Sequence, residues 1–161
     1  MPELITNGLN LTMLNESALR HLSFIDISLD GGERYYGTYR KGSLDKIKRG
    51  IAWLQDRNYR SINALEVLND KTIGWVDDMM EFALSRSVEM VMFSPFVPTD
   101  SQGVLSVNVV PLEGMLVALK ASDAFMEHNA AFLLIDTYHC YFERITMKQA
   151  ISTAESLGMA H

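Results

Sequence analysis

Short apolar runs with a two-residue period alternate along this chain with longer segments of helical period. The short runs predict five strands, at 3–6, 24–28, 61–68, 89–93 and 131–136. The longer segments predict helices at about 12–22, 44–57, 72–86, 112–129 and 146–157. The glycine-rich stretch 31–42 matches no nucleotide-binding spacing and is predicted to be a mobile loop. Alternation of this kind is typical of a parallel sheet whose strands are joined by right-handed helical crossovers.

The predicted fold class is therefore α/β, and two architectures share its repeating unit. One is a partial (β/α) barrel of about five parallel strands alternating with helices. The other is an open, doubly wound sheet of flavodoxin type. Local pattern does not separate the two. The length of 161 residues fits a single α/β domain over 1–161.

Side chains able to cap helices stand before several of the predicted helices. Thr12, Ser43, Thr72 and Thr146 are the predicted N-terminal caps. Gly158 is predicted to close the last helix, because glycine readily adopts the left-handed conformation of a helix end.

Composition excludes several functional classes. A net charge of −6 argues against a nucleic-acid partner, and no apolar run reaches the length of a membrane span. The amino-terminal residues do not match a signal peptide, so a cytoplasmic location is expected. Cys140 is the one cysteine, which excludes an internal disulfide and an all-cysteine metal site. The histidines show no metal-ligand spacing, so no metal site and no catalytic residue are assigned.

Polar residues follow each predicted strand at its carboxyl end, where parallel α/β folds bind ligands. A polar loop residue can equally cap the next helix or form a turn, so both interpretations stay open for each position. These residues are Asn7, Ser28, Asp30, Asn69, Asp70, Ser94, Asp136 and His139.

Two further residues are candidates for ligand binding. Asn63 lies inside an otherwise apolar strand, so its amide needs either a hydrogen-bond partner in the core or a ligand. Arg40 follows the glycine-rich stretch. We expect it to fold back over the strand ends and bind a carboxylate, since a guanidinium pairs with carboxylates in a bidentate manner.

The order of these motifs resembles the later strands of a radical SAM enzyme barrel. That family commonly shows a threonine–asparagine–glycine turn after one strand and a serine–leucine–aspartate–glycine turn after the next. An arginine, a "GS" helix start and a strand with an internal asparagine follow. Here the corresponding segments over residues 3–70 are "LITNG", "ISLDG", Arg40, "KGSLDKIKRGI" and "INALEVLND". "VEMVMFSPFVPT" resembles the sixth barrel strand, so the likeness covers 3–105 and residues 106–161 add further β/α units.

The resemblance implies a set of binding residues. Asn7, Ser28, Asp30, Arg40 and Asn63 occupy positions that line or border the S-adenosylmethionine pocket in that family. It assigns Ser28 and Arg40 to the ribose and the methionine carboxylate, and S-adenosylmethionine is the cofactor that it implies. This chain departs from the family where relatives carry a proline after the aspartate–glycine turn and a histidine–aspartate pair before the arginine.

The resemblance also implies elements that this sequence lacks. The family's first strand, its three-cysteine loop for a four-iron cluster and its glycine-rich second strand would precede residue 3. With Cys140 alone, no iron–sulfur cluster is expected in this chain. We therefore expect a truncated or degenerate radical SAM-like protein, inactive alone. It would associate with a missing amino-terminal half, or with its own copies through the exposed sheet edge at 3–6. The alternative is a non-catalytic α/β module that binds a small ligand or self-associates.

Overall fold

The computed structural model describes residues 2–96, 109–135, 140 and 143–159. The strands are β1 Leu4–Thr6, β2 Ile25–Leu29, β3 Ile62–Leu68, β4 Met90–Pro95 and β5 Ala131–Leu133. The helices are α1 Glu16–Leu19, α2 Glu33–Tyr39, α3 Leu44–Gln55, α4 Val76–Ser85, α5 Leu112–Lys120, α6 Asp123–Glu127 and α7 Met147–Ser156. Short 3-10 turns span Leu11–Met13 and Ile73–Trp75.

The five strands form one parallel sheet in the order β1-β2-β3-β4-β5, which confirms the predicted α/β class. Each crossover therefore moves one strand further in the same direction. Because such crossovers are right-handed, the connecting helices fall on the same side of the sheet. A flavodoxin-type sheet reverses its strand order, and this sheet does not. The sequential order favours a partial barrel.

The two faces of the sheet differ in what covers them. On the helix side, the strands bury Ile25, Ile27, Leu29, Ile62, Ala64, Leu68, Val91 and Phe93 in the core. We call the opposite side the open face; it carries Ile5, Asp26, Ser28, Asn63, Leu65, Val67, Met90, Met92, Ser94 and Phe132. Large apolar side chains on it remain exposed: Ile5 is 64% exposed, and Val67 and Phe132 are each 37% exposed. The helix side is thus the core of the domain, and the open face presents apolar surface.

The predicted mobile loop at 31–42 is wrong, because these residues contain helix α2. Its amino end is held by the Asp78 carboxylate of α4, which accepts backbone N–H groups from Gly32, Arg34 and Tyr35. Tyr35 and Tyr36 are buried in the core. Glycine at the start of α2 reflects close packing, since a Cβ on Gly32 would lie 1.9 Å from the Asp78 carbonyl oxygen.

Two other predicted helices are shorter than expected. The helix predicted at 12–22 is a 3-10 turn followed by α1, and Asn15 rather than Thr12 caps α1 by accepting the Ala18 N–H at 2.7 Å. The helix predicted at 112–129 is divided into α5 and α6. Ser122 breaks it, because its hydroxyl accepts the Phe125 N–H and starts a new helix.

The remaining predicted caps have mixed outcomes. Thr146 forms a capping box with Gln149 at the start of α7, and Gly158 follows that helix with a φ of 71°, as predicted. Ser43 precedes α3, but its hydroxyl donates to the Arg40 carbonyl instead of capping. Thr72 precedes a 3-10 turn, and its hydroxyl donates to the Val67 carbonyl.

None of the helices in the described part of the chain combines the length and the apolar character needed to span a bilayer.

Candidate ligand site at the carboxyl ends of the strands

The turns after β1 and β2 lie side by side. The two strands are adjacent and parallel, so Asn7 and Asp30 both leave the sheet at its carboxyl edge. Asn7 accepts the Leu9 N–H, which shapes the first turn. Gly8 follows with a φ of 74°, and a Cβ there would lie 2.9 Å from Ile27. Glycine is therefore required at this turn by both its conformation and its packing.

Arg40 folds back to the end of β2, as predicted from the sequence. It follows α2 directly, and its Nη1 lies 2.6 Å from Asp30 Oδ2. The two side chains are 56% and 29% exposed, so the ion pair lies at the surface and adds little to stability, although the contacted Oδ2 atom of Asp30 is itself shielded from water. A guanidinium has five N–H donors, so pairing with Asp30 leaves capacity for a second carboxylate.

Tyr36 lies behind this ion pair and is fixed in its neutral form. Burial, followed by the nearby Asp30 carboxylate, raises the pKa of the Tyr36 phenol to about 12. A phenol with this pKa cannot act as a base near neutral pH. Tyr36 is therefore a neutral O–H donor beside the Asp30 backbone and not a candidate base.

Ser28 and Asn63 both lie on the open face, but in different surroundings. Ser28 is exposed and stands level with Leu65 of β3. Asn63 is 4% exposed, and its Nδ2 donates to Asp26 Oδ1 at 2.8 Å. It stands two residues closer than Leu65 to the amino end of β3, which is about 6.6 Å along the strand. The structure thus groups Asn7, Asp30 and Arg40 at the edge with Ser28 just below, while Asn63 lies deeper and has a partner.

The other polar strand ends have local roles or lie elsewhere. Asn69 accepts the Lys71 and Thr72 N–H groups and so forms the turn after β3. Ser94 is half-buried on the open face at the end of β4. Asp136 and His139 lie outside the described residues.

Sequence reasoning did not identify three buried carboxylates near this edge. Asp26 accepts a hydrogen bond from Asn63 on the open face. The sequence does indicate this position, because Asp26 lies two residues before Ser28 and so points to the same face of the strand. Asp78 binds the start of α2, and no local pattern indicates this. Glu66 lies on the helix side of β3, where a charge between Leu65 and Val67 breaks the apolar run.

Glu66 is the most isolated of these carboxylates. Its side chain is fully buried, and neither of its oxygens has a hydrogen-bond partner within the described part of the chain. Burial, followed by repulsion from Asp30 and Asp78, raises the pKa of Glu66 well above its usual range. Burial therefore favours the neutral, protonated form of Glu66 beneath the strand ends.

Three cavities in the described residues are lined by other side chains. One of about 420 Å³ adjoins β5, one of about 390 Å³ lies beside α1, and one of about 240 Å³ lies between α2 and α3. None of the three is lined by Asn7, Ser28, Asp30, Arg40 or Asn63. Asn7, Ser28, Asp30 and Arg40 lie at or just below an open sheet edge, which a ligand or a second chain would have to close.

The family resemblance implies two bound groups, an iron–sulfur cluster and S-adenosylmethionine, and the side chains of this chain can be compared with the needs of each. Cys140 is buried in the core, and the described residues contain no group of three histidine, cysteine or acidic side chains able to hold a metal ion. An iron–sulfur cluster therefore does not fit the donors of this chain. The donors that S-adenosylmethionine would need are present, because Ser28 offers an exposed hydroxyl and Arg40 a guanidinium at the carboxyl edge of the sheet.

Comparison with known proteins finds structures with a similar fold but no similar sequence. No protein-family model matches the sequence, and no curated protein matches it. Among solved structures, native anSMEcpe with bound AdoMet and Cp18Cys peptide matches with a TM-score of 0.54 and 19% identity, over 74% of this chain and 35% of that one. Native anSMEcpe with bound AdoMet matches with a TM-score of 0.53 and 19% identity, over 74% of this chain and 34% of that one. This chain thus spans about a third of those neighbours. The similarity shows that it shares the α/β fold of part of those structures.

Proposed function

We propose that this chain binds S-adenosylmethionine at the carboxyl edge of its sheet, as the later strands of a radical SAM-type barrel. The observation that supports the proposal is the sequential sheet with one open face, whose edge carries Ser28 and the Asp30–Arg40 pair. The fold similarity to structures that contain AdoMet adds to it.

Each proposed binding residue has a role that follows from its chemistry. Arg40 would exchange its solvated contact with Asp30 for the methionine carboxylate, a charge-assisted pairing of the same kind. Ser28 would bond a ribose hydroxyl from the open face. Asn7 would border the ligand at the end of β1, and Asn63 would limit its depth beside Asp26.

The proposal assigns no radical reaction to this chain alone. Its donors do not fit an iron–sulfur cluster, so cluster-dependent chemistry would need a second segment, in cis or in trans. The edge of β1 is where such a segment would add, because β1 ends the sheet and pairs on one side with β2. We propose that the isolated chain binds S-adenosylmethionine as a radical SAM-like domain but does not catalyse the radical reaction by itself.

Calorimetric titration with S-adenosylmethionine tests the binding proposal. We expect Arg40→Ala to weaken binding by about tenfold or more, since a charged hydrogen bond contributes about 1.5–3 kcal/mol. Ser28→Ala should weaken it less. Lys41→Ala is the matched control, because it removes the neighbouring exposed cation and should leave the affinity within about twofold. Absence of binding to the wild-type protein, or equal effects of the arginine and lysine variants, would contradict the proposal.

Self-association is a second candidate function, supported by a different observation. Ile5, Val67 and Phe132 are exposed on three different strands of the open face, and within the described residues β1 pairs on one side only, with β2. A second copy of the chain would bury this apolar surface and could continue the sheet.

Light scattering at tens of micromolar protein tests self-association. We expect a dimer or larger species for the wild type, and a monomer for Val67→Glu, which places a charge on the open face. Leu84→Glu is the control, since Leu84 is exposed on α4 and away from that face. A monomeric wild type would rule the candidate out.

A further inference from the structure

Helix α2 determines where Arg40 lies, and α2 is too short to be stable by itself. It has seven residues, and isolated helices of fewer than about 12 residues are marginal in water. Its N-cap is Gly32, which has no side chain to bind the first N–H groups. The helix therefore needs an acceptor from elsewhere in the fold.

Asp78 supplies that acceptor from α4, 46 residues further along the chain. Its Oδ2 accepts the N–H groups of Gly32 at 2.9 Å and Tyr35 at 2.8 Å, and its Oδ1 accepts the Arg34 N–H at 3.0 Å. The Arg34 Nε also donates to Oδ1, at 3.2 Å. Asp78 is 3% exposed, so these bonds are shielded from water. A carboxylate with four donors is a strong anchor for a helix start.

The two ends of α2 are linked through this anchor. Asp30 comes just before the glycine pair that Asp78 contacts, and Arg40 comes just after the last turn of the helix. The Arg40 guanidinium reaches back to Asp30, with its Nη1 2.6 Å from Asp30 Oδ2, from the carboxyl end of the helix that Asp78 holds at its amino end. The Arg40 N–H also bonds the Tyr36 carbonyl, which joins it to the helix. A displaced helix start would move Arg40 away from the carboxyl edge.

We infer that Asp78 is a positioning residue for Arg40, which it holds at the ligand site through α2. The inference rests on the proposed binding of S-adenosylmethionine. It adds that affinity for the amino-acid part of that ligand depends on a buried carboxylate that does not touch it.

Two ligands separate this role from a general folding defect. S-adenosylmethionine carries the carboxylate that Arg40 would bind, whereas 5′-methylthioadenosine lacks the amino-acid part. In calorimetry, Asp78→Asn should weaken the binding of S-adenosylmethionine by about tenfold relative to the wild type. Its affinity for methylthioadenosine should stay within about twofold of the wild-type value. Asp78→Ala removes both acceptor oxygens and should weaken binding of the first ligand at least as much, again without affecting the second. Glu81→Gln is the matched control on the same helix, and it should change neither affinity.

A double variant and hydrogen exchange complete the test. Adding Asp78→Asn to Arg40→Ala should cause no further loss of affinity, because both act through the same side chain. In hydrogen exchange, Asp78→Asn should reduce protection of residues 33–40 by about tenfold, and Glu81→Gln should not.

The outcomes distinguish this inference from the proposed function. A wild type that binds neither ligand contradicts the proposed function, and the exchange of 33–40 then still reports whether Asp78 holds α2. Equal weakening of both ligands, additive losses in the double variant, or unchanged protection of 33–40 would each overturn the positioning role.

Discussion

Glu66 gives this protein a pH dependence of stability that runs opposite to that of most carboxylates. Its side chain is fully buried between Leu29 of β2 and Phe93 of β4. It has no hydrogen-bond partner within the described residues, and its pKa is raised by burial and by Asp30 and Asp78. The folded state therefore retains a proton that the unfolded state releases near pH 4.5, the ordinary value.

The sign and the size of the effect follow from this difference. Above pH 4.5 the folded state binds more protons than the unfolded state, so the free energy of unfolding falls as pH rises. For one group the slope is about 1.4 kcal/mol per pH unit, up to the folded pKa of Glu66. Between pH 4.5 and pH 7, Glu66 therefore lowers the free energy of unfolding by at most about 3.4 kcal/mol. Glu66→Gln keeps the shape of the neutral acid and removes the proton, so it should be more stable than the wild type near neutral pH.

Urea denaturation at several pH values measures the difference. The difference in the free energy of unfolding between Glu66→Gln and the wild type should be constant below about pH 4.5 and should grow as the pH rises above it, by no more than about 1.4 kcal/mol per pH unit. Glu81→Gln removes an exposed carboxyl from α4 and should show no such growth. A Glu66→Gln variant whose stability stays parallel to the wild type across this range would refute the buried, neutral Glu66.

Two further predictions follow from the packing around α2. Gly32→Ala places a Cβ 1.9 Å from the Asp78 carbonyl oxygen and should lower the free energy of unfolding by about 3 kcal/mol or more. Gly37→Ala is the control on the same helix. Its Cβ would lie in open space, so this variant should raise the free energy of unfolding by about 1 kcal/mol. Equal effects in urea denaturation would contradict the close approach. In an alkaline ultraviolet titration, one phenol should ionise at about pH 12, and Tyr36→Phe should remove it. Tyr36 stabilises the fold below pH 10, and this contribution is lost as pH rises towards 12. Loss of an ordinary phenol near pH 10 instead would contradict its burial.

The amino-acid sequence by itself determined the alternation of strands and helices and the polar residues at the strand ends. Helix α3 shows why: Leu44, Ile47, Ile51 and Leu54 repeat at helical spacing and are all buried. Such a pattern depends on residues a few positions apart, and it can be read from the chain directly. Arg40 was also expected to fold back over the strand ends towards a carboxylate, because a guanidinium pairs readily with one, and the carboxylate that it meets is Asp30.

Tertiary structure decided what those residues contact. The sequence pattern predicts a loop for the glycine-rich segment, whereas the structure has a helix there. Local pattern does not indicate this helix, because it depends on Asp78, 46 residues away. The partner of Asn63 is Asp26, on a neighbouring strand and 37 residues distant. Glu66 became a neutral, buried acid only when the sheet placed it under the helices. Local periodicity describes which side of an element is apolar, but it does not say which distant group meets a polar atom. That depends on the packing of the whole chain.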